Sequence, residues 1–456
     1  MCNPSTLETI LLTVAPVFNS PSAVNFSVLV YGWILAGCRG TVSRAIRAAG
    51  ELAPKHFSSY YRFFSRAEWG VDALGLALLP RLLSFVDGNT IKLIVDDTLT
   101  RKGGRHIWGA NMHHDPLHWM CNAIAFGHNW VAMAIVIRVP LLTRPVAVPI
   151  FMRLYRSKKK RQGKNAKGAS EAKAKGVPAA GEYRTRPELA MEMLILARNA
   201  IPVDRRIHLL GDSAYGGKSI SRKLPDGVDM TSRMCMTAAL YKQAPVRKPG
   251  QKGRSRVKGE RLPSPKEMAA SKTRWKKATV TLYGKEVPVL YKQVQALWYS
   301  SAGSRLLNIV VVRDPKGNRK DDCFFSSDLS LSATEVLELY ACRWALEVAF
   351  RDIKQFLGLE GPQSRTEGAV SKTVPFICAV YAIVIVWFCE QGHNLYEKST
   401  LNVGAWYRHK ANPSFEDMLR TLRLQILREC FFATPAANQG QQKSIEPPMA
   451  MLRLVA

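Results

Sequence analysis

Apolar positions recur at helical spacing through the first 88 residues. SAVNFSVLVYGWILAG and VSRAIRAAG each read as a helix, and HFSSYYRFFSRAEW mixes aromatic with basic residues. The pattern predicts a helical domain over 1–88, for which DNA binding and plain packing are both open roles. At Ile91 it changes. IKLIVDD is a short apolar run ending in two aspartates, and WVAMAIVIRVPLL and AVPIFMRLY predict two further strands, close to a hairpin pair. PELAMEMLILARN has a helical pattern, and IHLLGDSAYGG is a strand running into a turn. Strands, helix and strand, with acids at strand ends, predict the first part of an α/β core over 89–230. KATVTLYG, KEVPVLYKQVQALWY and LLNIVVVRD then predict an all-β insertion over 231–328 that carries a basic loop. Helices return over 329–430, and 431–456 reads as a loose tail.

One helical segment is chemically unusual: YACRWALEVAFRDIK, from Tyr340 to Lys354. Ser332 and Glu335 fit a capping box upstream, and nothing interrupts the pattern until Gly358. At about 100° per residue, Tyr340, Arg343, Glu347 and Lys354 fall within a sector of about 60°, with Arg351 just beside it. Solvated helix faces usually carry balanced i,i+4 ion pairs. Here the face is mostly cationic with a single acid. Its neighbours Trp344, Phe350, Phe356 and Leu357 are large and apolar, which sets the helix against a core. A lone acid among fixed cations suits a place that holds a metal and phosphates together.

Composition points the same way. The chain has 456 residues, 47% of them hydrophobic, enough for two or three domains with a large core. Its net charge of +30 favours an anionic polymer as partner, nucleic acid first. RSKKKRQGKNAKGASEAKAKG has no apolar periodicity and reads as a flexible basic loop, with Lys158, Lys159, Lys160 and Arg161 as candidate DNA contacts; VRKPGQKGRSRVKGERLPSPKE is a second basic stretch. Nine cysteines without C-x-x-C spacing are expected to be reduced thiols in the cytoplasm. The N-terminus lacks the basic region of a signal peptide. VPFICAVYAIVIVWFC, from Val374 to Cys389, is shorter than the roughly 20 residues of a membrane span, so a buried core helix is expected and no membrane.

Three acidic positions stand out: Asp96 or Asp97 on the first strand, Asp212 at the end of a later one, and Glu347 on the cationic helix. Two strand-end aspartates come close when their strands are neighbours in a parallel sheet, and a helix packed on the strand edge adds a third carboxylate. Three carboxylates can hold two Mg²⁺ or Mn²⁺ ions, hard cations that prefer oxygen ligands.

The residues Tyr340, Arg343, Glu347 and Lys354 match a Tyr-x2-Arg-x3-Glu-x6-Lys spacing, and the chain here resembles the DDE-type insertion-sequence transposases that carry this YREK signature. RWALEVAFRDIKQFLGL with the later QSR is similar to their C-terminal motif, and VDDT and GDSAY to their two aspartate motifs. The resemblance covers about 91–390. It implies an RNase H-like core. It implies that Asp96, Asp212 and Glu347 bind two metal ions, with Asp96 preferred and Asp97 the alternative. It also implies that Tyr340, Arg343 and Lys354 contact DNA phosphates, and Arg351 beside them is a further candidate contact. Implied partners are terminal inverted repeats and target DNA, bound by a homodimer in a bacterial, nucleoid-associated protein. Trp298 is a candidate for stacking on a flipped base, with Trp275 as another; both are also ordinary core tryptophans.

Other readings stay open. A nuclease of the same fold would cut without joining, and a transposase-derived DNA-binding protein would have lost an acid, which this chain has not. His106, His113, His114, His118 and His128 cluster near Asp115 and Cys121; structural or DNA-contact roles are favoured there over a zinc site. Deleting residues 158–175 is expected to weaken DNA binding and flatten its salt dependence by about 0.9 for each phosphate that the shortened chain no longer neutralises, as filter binding across a salt series would measure.

Overall fold

The computed structural model describes residues 6–37, 40–104, 106–114, 123–157, 183–246, 253–397 and 412–432. Lys158, Lys159, Lys160 and Arg161, most of the first basic stretch, and the tail from 433 lie outside them.

Five helices open the chain: α1 (Thr6–Val14), α2 (Ser20–Leu35), α3 (Val42–Ala49), α4 (Phe57–Ser65) and α5 (Val71–Leu83). Asn19 caps α2 and Thr41 caps α3, each accepting from a first-turn N–H. Four strands follow: β1 (Thr90–Arg101), β2 (Asn111–His114), β3 (Ile124–Ile137) and β4 (Val146–Tyr155). Then come α6 (Arg186–Ala200), started by a Thr185–Glu188 capping box, β5 (Arg206–Gly211), α7 (Lys218–Ser221) and β6 (Val228–Met234). The next block holds β7 (Leu240–Tyr241), β8 (Arg261–Leu262), α8 (Pro265–Ala270), β9 (Lys276–Leu282), β10 (Lys285–Leu297), α9 (Tyr299–Ala302), β11 (Leu306–Arg313) and β12 (Asp322–Ser326). The described chain finishes with α10 (Ala333–Cys342), α11 (Trp344–Phe356), α12 (Glu367–Trp387), α13 (His393–Glu397) and α14 (Phe415–Phe432).

All twelve strands join one mixed sheet. Its main path runs β2-β3-β1-β5-β6-β12-β11-β10-β7-β8, with β4 on β3 and β9 on β10. The pairs β1·β5 and β5·β6 are parallel and the others antiparallel. The fold is thus mixed α/β, consistent with an RNase H-like core. The block expected as an all-β insertion continues this sheet through β12 against β6, and the short helices α8 and α9 interrupt it.

Three further expectations need correction. The first strand does not end at its aspartates. It runs on to Arg101 because β3 pairs with it throughout, and the polar Thr98 and Thr100 are buried there. The cationic helix is divided at Arg343. Around that residue Arg343 N–H donates to Tyr340 O and Leu346 N–H to Arg343 O, tight i,i+3 bonds on both sides. The apolar run near Val374 is a buried core helix as expected, 89% of its most apolar stretch lying inside the protein, but it belongs to a longer helix, α12 of 21 residues, long and apolar enough to cross a membrane. Phe376 explains its place. Its ring lies 5.8 Å from Phe26, 5.3 Å from Trp33, 6.2 Å from Phe63 and 5.2 Å from Phe64, so the N-terminal helices close around α12.

On its other side α12 meets α5 and β4, and α5 approaches β4 closely at Gly75. A Cβ there would stand 2.1 Å from Ile150 O, a backbone atom that cannot step aside. Gly75→Ala is therefore expected to destabilise the protein by about 1–3 kcal/mol, seen as a lower urea midpoint with an unchanged slope.

Candidate active site

The parallel pairing of β1 with β5 stops at Val95 opposite Gly211. The next residue on each strand is an aspartate, Asp96 and Asp212, so the two stand at the same end of neighbouring parallel strands. After Gly211 the chain leaves the sheet. The Asp212 side chain accepts from Ala214 N–H at 2.9 Å, and its carbonyl accepts from Tyr215 N–H, Gly216 N–H and the Ser232 hydroxyl. That turn holds Asp212 half-buried beside the edge β1 has just exposed.

Arg343 brings the helical acid in. Its Nη1 donates to Asp96 Oδ2 at 2.6 Å and its Nη2 lies 2.6 Å from Glu347 Oε1. One guanidinium thus ties a strand carboxylate to a helix carboxylate. Burial pushes the Asp96 carboxyl up to about 7; Arg343 and the Asp97 N–H oppose the shift, and the charges of Asp212 and Asp97 add to it. Lys354 Nζ donates to Leu99 O at 2.8 Å, which fastens α11 along β1 beyond its parallel neighbour. Tyr340 packs on Phe324, ring centroids 4.5 Å apart, and Arg343 lies 5.8 Å from its ring centre. Burial is the main cause raising its phenol. Arg351 is exposed and pairs with the buried Asp352 at 2.9 Å.

Asp97 points elsewhere. Side chains alternate along a strand, so it faces the opposite side of the sheet. There it accepts from Asn129 Nδ2 at 2.8 Å and from the Tyr215 hydroxyl at 3.1 Å, and Arg186 lies 3.3 Å away. Sequence reasoning missed all three partners. It also missed Arg233, paired with Asp322 at 2.8 Å and near enough to Asp212 to feel its charge. The Thr185–Glu188 cap was a visible signal for α6, but nothing local says that its first residue, Arg186, reaches β1.

The two candidate tryptophans pack within their own neighbourhoods. Trp298 precedes α9, is half-buried and packs on Phe325 at 5.7 Å. Trp275 lies beneath Lys292 and Arg313, 4.7 and 4.4 Å from its ring centre. His128 bonds Trp108 O at 2.8 Å, and burial pushes it down to about 4. Asp115, His118 and Cys121 lie outside the described residues, and no group of three or more His, Cys, Asp or Glu side chains stands ready for a metal among the described ones.

A protein-family model described as DDE superfamily endonuclease matches residues 14–287, more than half of the chain. The chain belongs to this family. The match spans Asp96, Asp97 and Asp212 of this DDE superfamily endonuclease and ends before Glu347. Curated proteins give no match. Membership brings a transposase- or nuclease-type function, DNA as substrate and the general use of divalent metal ions. The donor chemistry here fits such ions: every carboxylate is a hard oxygen donor, and burial with neighbouring acids pushes the Asp96 carboxyl up, a shift that a bound cation opposes. Asp96 and Glu347 are both engaged by Arg343 in the free protein.

The two faces of β1 predict different mutant behaviour. Asp97→Ala leaves Arg186, Asn129 and Tyr215 without their shared acceptor and is expected to cost about 2–4 kcal/mol in urea unfolding. Asp212→Asn, whose side chain bonds only its own turn, is expected to change stability by less than about 1 kcal/mol.

Proposed function

We propose that this DDE superfamily endonuclease is a transposase of the YREK type, which cuts the terminal inverted repeats of an insertion sequence and joins them to target DNA. The observation that carries the proposal is that Asp96 and Asp212 each follow the last pair of two adjacent parallel strands, while Arg343 ties Asp96 to Glu347 on α11 and Lys354 fastens that helix along β1. Asp97 is already committed on the other face, which favours Asp96 as the reacting acid.

Asp96, Asp212 and Glu347 would hold two Mg²⁺ or Mn²⁺ ions, which when bound activate an attacking oxygen and stabilise a leaving one in phosphoryl transfer. The protein's own contribution is placement. Arg343 offers a bidentate fork for a phosphate, and Arg233 and the exposed Arg351 add positive charge. Tyr340 borders the phosphate path with its hydroxyl; no covalent protein–DNA bond is needed. Water and then a 3′-hydroxyl serve as nucleophiles. Two ends must be cut, so at least two copies act together, in the cytoplasm at the nucleoid. Trp298, packed on Phe325, is the weakest of the proposed DNA contacts.

Asp212→Asn and Glu347→Gln are each expected to abolish metal-dependent cleavage of the element's ends while gel-shift affinity for those ends stays within about threefold, because each removes a metal ligand and touches DNA little. Full cleavage by either mutant would refute the assignment. Joining of precut ends separates a transposase from a nuclease of the same fold: wild-type protein that cuts but never joins is the nuclease.

A further inference from the structure

We propose that Arg343 is a latch: in the free protein its guanidinium takes the place of the metal between Asp96 and Glu347, and a DNA phosphate draws it out. This rests on Asp96 and Glu347 being metal ligands, as proposed above. Metal then binds more weakly without substrate, and an endonuclease waiting without its DNA is held largely unloaded.

The geometry of the guanidinium supports this. Its two terminal nitrogens are each 2.6 Å from a carboxylate, one on β1 and one on α11, so a single cation already occupies the space the two acids share. The seat is imperfect. Nε is buried with no hydrogen-bond partner among the described residues, so one of the donors of the fork is desolvated without return. A phosphate presents oxygens for parallel N–H bonds and is a better partner for that fork than two carboxylates on different elements.

Movement is needed from the side chain alone, because the Arg343 backbone keeps helical angles. Arg343 is the joint between α10 and α11, bounded by i,i+3 bonds on both sides. Its side chain can reorient while the capped start of α10 and the Lys354 tie of α11 stay in place. Beside it Trp344 is exposed and Glu347 half-exposed, so the route outward is open. Withdrawal of the guanidinium leaves Asp96 and Glu347 facing without a cation, which favours entry of a divalent ion. Phosphate binding and metal binding then help one another by the same factor, as linkage requires.

Mn²⁺ binding by the full chain, read from the fall in the free-ion electron paramagnetic resonance signal, tests this without catalysis. Arg343→Ala and Arg343→Gln are measured beside wild type, with Asp96→Asn as control and circular dichroism melting to establish folding. Both arginine variants are expected to bind Mn²⁺ about tenfold or more tighter than wild type in the absence of DNA, an ordinary size for coupling between two groups. A duplex copied from the DNA flanking the coding region, added on ice, is expected to tighten wild-type binding by a similar factor and the variants' much less. If wild type and variants bind equally without DNA while Asp96→Asn abolishes binding, the latch is refuted and the metal ligands stand. If the duplex leaves wild-type affinity unchanged, release by DNA is refuted. If no protein binds Mn²⁺ with or without DNA, the carboxylate assignment falls and the latch with it.

Discussion

The constraint on which the site depends is the short parallel pairing of β1 with β5. Parallel strands cannot be joined by a tight turn, so the chain builds β2, β3, β4 and α6 before β5 can lie beside β1. The pairing then ends after six residue pairs, at Val95 and Gly211. β5 turns away at Asp212 while β1 continues under the support of β3 alone. One edge of β1 is thereby left open at the carboxyl ends of the parallel strands, the place where open α/β sheets generally bind ligands. α11 fills that edge, and Lys354 satisfies a β1 carbonyl beyond the reach of the strand neighbour.

Electrostatics divides the two adjacent aspartates. Asp97 sits in a closed set of donors and is structural in its surroundings. Asp96 sits among other acids with a single strong counter-charge, and its carboxyl is pushed up because burial outweighs that partner. One peptide bond separates the two, yet the alternation of strand side chains sends them to different environments. The Asp97 N–H, donating to Asp96 Oδ1 at 2.8 Å, links the two faces directly.

Much of this was legible because it was local. The Ser332–Glu335 capping box, the stop at Gly358 with its positive φ of 64°, the β3–β4 hairpin and the turn after β5 each depend on residues close in sequence. What was hidden depended on distant partners. Thr98 and Thr100 look like the start of a loop until β3 buries them. The break at Arg343 has no glycine or proline to announce it and coincides with an ion pair 247 residues away in sequence. The single sheet is hidden because strand order is a property of pairing, which alternation of polar and apolar residues does not encode. α12 outruns its apolar signal because its first turns, from Glu367, are polar and the apolar run begins later.

The placement of α12 has a consequence for how the protein is made. Helices α1, α2, α4 and α5 all pack on a segment that the ribosome produces last but for α13 and α14. Until Phe376 emerges, Phe26, Trp33, Phe63 and Phe64 lack the ring that they enclose, and the nascent N-terminal helices carry an uncovered apolar surface. The N-terminal helices thus share their core with α12. Apolar surface of this kind is prone to aggregate while uncovered, so a chain that stops before α12 is expected to be less soluble than one that includes it.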